Sequence, residues 1–389
     1  MRSALLALCL SALPSVFASS SYGAIEFNNL GFDGYYRQVA SISNEDTSEC
    51  TCALSTDKTA FSGKNAPLNE GLSVHFRGPL VLSQFGYYVS PSFTHGSDSS
   101  GDWSRLAYYD ADSSTAENVT FLTNAGTNSS CLGKALTYAG SDGISSAQNP
   151  TVLAKDTKIV SDQEYTIFSD VKCGSSGVNN DCGVYRNGIP AFHGYDGDIK
   201  MFLFEFEMPK ETTVSKDEVS YFDMPAIWLL NARIPRTSQY PDNGNCSCWN
   251  SGCGEFDIFE VMNTTESSHL YSTIHDYQGT GDIENGLQAD GYIPRDTTGS
   301  MKGGVVFDST GTAVVFMSNS TSITGNITAS DLNSWIKEAG TVVTDTLSSV
   351  APAATSSTSK KSDGSSLSSK SFLSNIGFSV LSALYYLTI

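Results

Sequence analysis

Fixed charge is what this chain has least of. Asp, Glu, Lys and Arg together make up 16% of its 389 residues, against about 25% in an ordinary soluble protein. The charge that is present leans one way: 41 acidic residues face 22 basic ones, a formal net charge of −19. That balance argues against nucleic acid and anionic membrane surfaces as partners and suits a neutral substrate. A sustained helical period is also missing, and no internal repeat occurs. Helical bundles and solenoids are therefore poor descriptions of the chain. In place of charge stand Gly, Ser, Thr, Asn, Tyr and Phe, the composition of an extracellular β protein. With 40% hydrophobic and 11% aromatic residues, a sizeable core is available.

The two ends set the compartment. Met1-Arg2 gives a positive start, and an apolar run from Ala4 to Leu13 comes next, too short to span a bilayer. Val16-Phe17-Ala18 supplies small residues for cleavage. Residues 1–18 read as a signal peptide and are excluded from fold reasoning; a buried cytosolic segment is the alternative. Cys9 leaves with it. Cys50, Cys52, Cys131, Cys173, Cys182, Cys246, Cys248 and Cys253 remain, an even set that reads as disulfides in a secreted chain. Their pairing is not deducible. A zinc site at Cys246, Cys248 and Cys253 competes, but the cluster has no C-x-x-C pair and no nearby His. No metal is assigned. Six N-x-S/T sequons, at Asn118, Asn128, Asn245, Asn263, Asn319 and Asn326, point to N-linked glycans on surface loops.

From residue 341 to 370 Ser, Thr, Ala and Lys dominate, a low-complexity stalk without a core. Residues 371–389 are largely apolar. Small residues at Ser362-Asp363-Gly364-Ser365, a polar spacer and this tail match a GPI-attachment signal. The expected anchor residue is Gly364, with Ser362 and Asp363 as neighbours of the same kind. The implied partner is a GPI lipid and the implied place the outer face of the plasma membrane or the cell wall. A C-terminal transmembrane helix is the alternative.

Between the ends the chain reads as short strands. Residues 19–92 form a first unit, with Cys50-Thr-Cys52 between aromatic and β-branched runs. It is either a separate disulfide-pinned β module or an integral layer of the next domain. The polar stretch 93–102 is the best boundary. Strands are expected at 103–110, 118–122, 164–170, 200–207, 226–230, 255–262, 269–276, 303–308 and 313–318. Only 330–338 looks helical, with Asp331 available as a cap. The fold class is all-β, a jelly-roll β-sandwich over 103–340, with the small N-terminal β module before it. In 200–207 apolar alternation is clean only in the second half, where Glu205 and Glu207 share a face; a strand with one polar face explains them.

One stretch breaks the pattern. Gly254-Glu255-Phe256-Asp257-Ile258-Phe259-Glu260-Val261 puts three carboxylates in a run that otherwise reads as a buried strand. Charges sit in such places when they are paired or used. Alternate side chains of a strand share a face, so Glu255 and Asp257 point together. Glu260 is five residues from Glu255 and faces away unless one residue is inserted. A β-bulge near Ile258-Phe259 does this, sending all three acids into one groove and one of Ile258 or Phe259 into the core. Two carboxylates on one face can hydrolyse a glycosidic bond, one attacking and the other protonating the leaving oxygen. The chemistry needs no cofactor. A calcium site and a plain acidic surface strand are the alternatives; calcium loops, however, are irregular and rich in Gly, Asp and Asn.

Pro225-Ala-Ile-Trp228 upstream, together with Gly-Glu-Phe-Asp-Ile-Phe-Glu, resembles the signature of glycoside hydrolase family 16, the β-jelly-roll glucanases. The resemblance implies Glu255 as nucleophile, Asp257 as its assistant and Glu260 as acid/base. It implies Trp228 and His275 in the sugar cleft. Trp249, in the Cys-rich segment beside the acids, is a further cleft candidate. Over residues 24–340 the chain also resembles fungal GPI-anchored cell-wall proteins described as endo-1,3-β-glucanases. That implies β-glucan of the wall as substrate, cleaved with retention. The alternatives are a wall transglycosylase remodelling glucan or chitin–glucan polymers, and a non-catalytic glucan-binding wall protein. The Cys-rich segment 245–253 departs from family 16, and the acceptor-site aromatics of its chitin–glucan crosslinking branch have no clear match.

Overall fold

The computed structural model describes residues 20–349. The signal peptide, Gly364, the hydrophobic tail and all but the first residues of the stalk lie outside them. Among the described residues no helix is long and apolar enough to cross a membrane.

Among the described residues the strands form two ten-stranded sheets and three small two-stranded ones. The main strands are β1 (Ala24–Asn28), β2 (Leu72–Arg77), β3 (Leu80–Val89), β4 (Trp103–Asp110), β5 (Thr120–Thr123), β6 (Thr137–Ala139), β7 (Glu164–Phe168), β8 (Lys200–Glu207), β9 (Ala226–Asn231), β10 (Glu255–Glu260), β11 (His269–His275), β12 (Met301–Phe307), β13 (Ala313–Met317) and β14 (Val342–Thr346). One sheet runs β4-β3-β8-β12-β13-β1-β14 and the other β6-β5-β7-β2-β9-β10-β11. Their facing side chains form one core. Phe27 meets Phe256 edge-on at 5.5 Å, Phe206 stacks on Phe259 at 5.5 Å, and Phe204 meets Phe76 at 6.0 Å. This is the expected all-β sandwich, with each sheet burying one face against the other.

β8 shows why alternation fails in part of its length. Phe202, Phe204 and Phe206 enter the core between the sheets. Met201 and Leu203 enter a second cluster on the opposite face, with Leu332 and Ile336 of a helix, α2 (Ala329–Ala339), which comes after the short α1 (Arg233–Thr237). Both faces are covered there, so both are apolar. Past that cover the outer face turns polar: Glu207 is exposed and Glu205 pairs with Lys302 at 3.3 Å. Both acids lie on the sheet that does not carry the three-acid strand. In α2 the cap is Thr328, not Asp331. Asp331 is the third helical residue and closes a capping box with Thr328.

Two boundaries read from composition fall inside the sandwich. The strands of 19–92 do not stand apart: β2 lies between β7 and β9, and β3 between β4 and β8. At the other end β14 pairs in parallel with β1, Val342 opposite Ala24 through Thr346 opposite Asn28. The ordered sheet thus runs past residue 341. Strand pairing joins residues far apart in the chain, which a change of composition does not report.

The eight cysteines form four disulfides, Cys50–Cys131, Cys52–Cys246, Cys173–Cys182 and Cys248–Cys253. The first two tie the Cys50-Thr-Cys52 strand to two distant loops. The last clamps a tight loop directly before β10.

Candidate active site

The predicted break in β10 is present. Against β9, Phe259 pairs with Ile227 and Asp257 with Trp228, leaving Ile258 as the extra residue. Against β11 the register also shifts between Asp257 and Glu260. Ile258 and Phe259 are both fully buried in the core, one more apolar anchor than a single inserted residue was expected to supply. Gly254 leads into the strand with φ +105°, and a Cβ there would meet Pro67 at 3.1 Å and Leu68 at 3.2 Å. Only glycine takes that conformation without strain.

Register then defines a platform on the outer face of this sheet, because directly paired residues share a face. Glu164, Arg77, Ala226, Glu260 and Tyr271 fall in one row across β7, β2, β9, β10 and β11. Thr166, His75, Trp228, Asp257 and Thr273 form the next. Ser73, Leu230, Glu255 and His275 form a third. The three acids therefore lie on one polar face above an apolar core.

Each acid has its own partner. Trp249 donates its indole N–H to Glu255 Oε2 at 2.5 Å. That ring also packs with Cys248 and Cys253, so the disulfide-clamped loop sets its place. His275 Nε2 lies 3.0 Å from Asp257 Oδ2, and its Nδ1 lies 2.7 Å from the Ile283 carbonyl, which can only accept. Burial works to lower the His275 pKa, but the hydrogen bond to Asp257 and the charges of Asp257 and Glu255 push it up to about 10. His275 is therefore an imidazolium donating from both nitrogens. Arg77 Nη2 donates to Glu260 Oε1 at 2.9 Å, and Arg77 Nε to the Met224 carbonyl at 2.7 Å. Ala226, in register with both Arg77 and Glu260, is the small residue that leaves room for this reach across a strand.

Burial, then the charge of Asp257, lifts Glu255 to about 8 against the pull of His275 and Trp249. The same two causes lift Glu260 to about 7 against Arg77 and His275. A pair of carboxyls raised this way retains protons near neutral pH, as acid/base chemistry requires.

Trp228 lies on the same face but is only 4% exposed. It stacks on His75 at 5.2 Å, and the Arg77 guanidinium sits 5.9 Å from its ring. Little of the ring is open to a sugar. His75 itself is fully buried, bonded to Ser73 and Thr166 at 2.9 Å each, and burial lowers its pKa to about 3. It is a neutral strut. Of the sequons, Asn128, Asn245, Asn319 and Asn326 are exposed. The Asn118 and Asn263 amides instead donate to Leu106 O and Glu266 Oε2.

Arg77, Glu164, Tyr221 and Tyr240 were not legible as site residues. They come from four separate stretches and carry no local motif. Tyr221 covers Arg77 at 4.5 Å. The Tyr240 hydroxyl lies 3.0 Å from each Glu164 oxygen.

Fold and site together define a class: a disulfide-bonded β-sandwich with three carboxylates on one polar face of a sheet. The sequence places it more closely. Cell wall protein YJL171C/Tos1, C-terminal, matches residues 101–335, and its N-terminal counterpart matches residues 23–90. The chain belongs to this family of cell wall proteins. A Candida albicans relative, "Probable circularly permuted 1,3-beta-glucanase PGA52", is 60% identical over 96% of this chain and 97% of its own length. A Saccharomyces cerevisiae relative, "Probable circularly permuted 1,3-beta-glucanase YJL171C", is 56% identical over 86% of this chain and 85% of its own. The S. cerevisiae relative "Probable circularly permuted 1,3-beta-glucanase TOS1" is 32% identical over 82% of this chain and 90% of its own. No solved structure is significantly similar.

Proposed function

We propose that the protein is a retaining glycosidase of the cell wall acting on β-1,3-glucan. The observation that carries this reading is the bulge at Ile258, without which Glu260 would turn away from Glu255. The names of the relatives support the substrate. The family 16-like sequence of Pro225-Ala-Ile-Trp228 and β10 supports the roles. Glu255 attacks the anomeric carbon, forming a C–O ester bond as the glycosidic bond breaks, and Glu260 gives its proton to the leaving oxygen. Water or a sugar hydroxyl then attacks the same carbon, the ester bond breaks, and the incoming proton goes to Glu260. Asp257, fixed by the His275 cation, holds the negative charge between the two glutamates. A GPI anchor at Gly364 would keep the protein at the wall.

Glu255→Gln and Glu260→Gln should each abolish turnover of laminarin-type glucan by the purified protein while leaving its circular dichroism unchanged. Full activity in either would sink the assignment. Hydrolysis and transfer share the first step, so product mass separates them: only shorter chains mean hydrolysis, longer or branched chains mean transfer. Retention of glucan without turnover would mark a binding protein instead.

A further inference from the structure

Beside the three acids lies a fourth carboxylate that the two-carboxylate mechanism does not use. Glu164 is on β7, in the interior of the sheet, and faces the same side as Glu260. Arg77 sits between them in register, but its Nη2 is spent on Glu260 and its Nε on Met224 O. Glu164 is left with the Tyr240 hydroxyl, 3.0 Å from both oxygens. A half-buried carboxylate with one shared neutral donor is under-satisfied, which costs stability unless a ligand completes it. No backbone cap or turn explains it.

Two tyrosine rings flank this group. Tyr240 is 55% exposed and Tyr221, over the Arg77 guanidinium, is 44% exposed. Open aromatic faces beside unsatisfied carboxylate oxygens are what a pyranose needs: an apolar ring face to rest on and acceptors for its hydroxyls. The position matters as much. Glu164, Arg77 and Tyr221 gather at the Glu260 end of β10, away from Glu255. The oxygen that Glu260 protonates belongs to the departing sugar, so groups around Glu260 face that sugar.

Resting on the glycosidase reading, we propose that Glu164, Tyr240 and Tyr221 form the subsite for the leaving-group sugar, and equally for the hydroxyl-bearing sugar that enters in its place. Its ligand is a neutral hexopyranose unit of the glucan, held by hydroxyl-to-carboxylate hydrogen bonds and ring stacking.

The test uses the full-length chain and laminarihexaose carrying ¹⁸O at its reducing end, with products read by mass. Sugars on the leaving side keep the label, so the cut position reports binding there. Glu164→Gln should raise KM about tenfold through the loss of a charge-assisted contact, and Tyr221→Ala should raise it several-fold through the loss of a stacking face. Both should also shift the cuts toward the labelled end, leaving fewer sugars on that side. Tyr240→Phe keeps the ring and should shift the cuts less. Tyr221 is on the surface, so its variant keeps the test valid if Glu164→Gln folds poorly. Unchanged cut positions in both principal variants would overturn the inference alone. No cleavage by the unaltered chain, or cleavage retained by Glu255→Gln, would overturn the glycosidase reading and this inference with it.

Discussion

Replacing Trp249 by Phe should separate the two carboxyls by their titration. The productive form has Glu255 ionised and Glu260 protonated. Burial and the charge of Asp257 push both carboxyls well above the ordinary carboxylate range, Glu255 to about 8 and Glu260 to about 7, so both hold protons near neutral pH. The Trp249 N–H, 2.5 Å from Glu255 Oε2, favours the ionised form. Hydrogen bonds to charged groups are worth about 1.5 kcal/mol or more, and about 1.4 kcal/mol is one pKa unit. Losing the donor should lift Glu255 by roughly one unit and disfavour the productive form. The assay is kcat/KM against pH on laminari-oligosaccharides, which reports the free enzyme. One limb should move up by about one unit while the other holds. Arg77→Gln removes the donor to Glu260 and should lift the other limb instead. If either variant lowers a limb, or if both variants move the same limb, the reasoning is wrong.

Stability offers two more tests. Both glutamates have folded-state pKa values above their ordinary value of 4.5, so the folded state binds more protons than the unfolded one from about pH 4.5 upward. Stability from these groups is therefore lost as pH rises toward 7 to 8. Glu260→Gln carries no such loss, and thermal melts should find it more stable than the unaltered chain by roughly 1–2 kcal/mol at pH 8, with little difference at pH 4. The Cys52–Cys246 bridge closes a span of 194 residues. In the chain-entropy account, replacing both cysteines by Ser should cost up to about 5 kcal/mol, read by calorimetry as a lower melting temperature.

What the sequence settled was local. Strand spans are visible where at least one face is apolar: the ranges read for 103–110 and 200–207 are those of β4 and β8. The spacing of Glu255, Asp257 and Glu260 demanded a bulge because side chains alternate with period two, and that demand needs no neighbour to state it. The helix at α2 announced itself by its own period, though the capping residue was misplaced by three positions. Tertiary structure decided everything that depends on which strand lies beside which. Glu164, Arg77, Ala226 and Glu260 share one row through three successive registers, and no local pattern ties residue 77 to 164 or to 260. The same holds for the disulfide partners, for β2 and β3 inside the sandwich, and for β14 beside β1. The protonated state of His275 belongs there too, since Asp257 and the Ile283 carbonyl reach it only once β10 and β11 are paired. The three acids could be read from the chain; the groups that set their charges could not, because they converge only across the sheet.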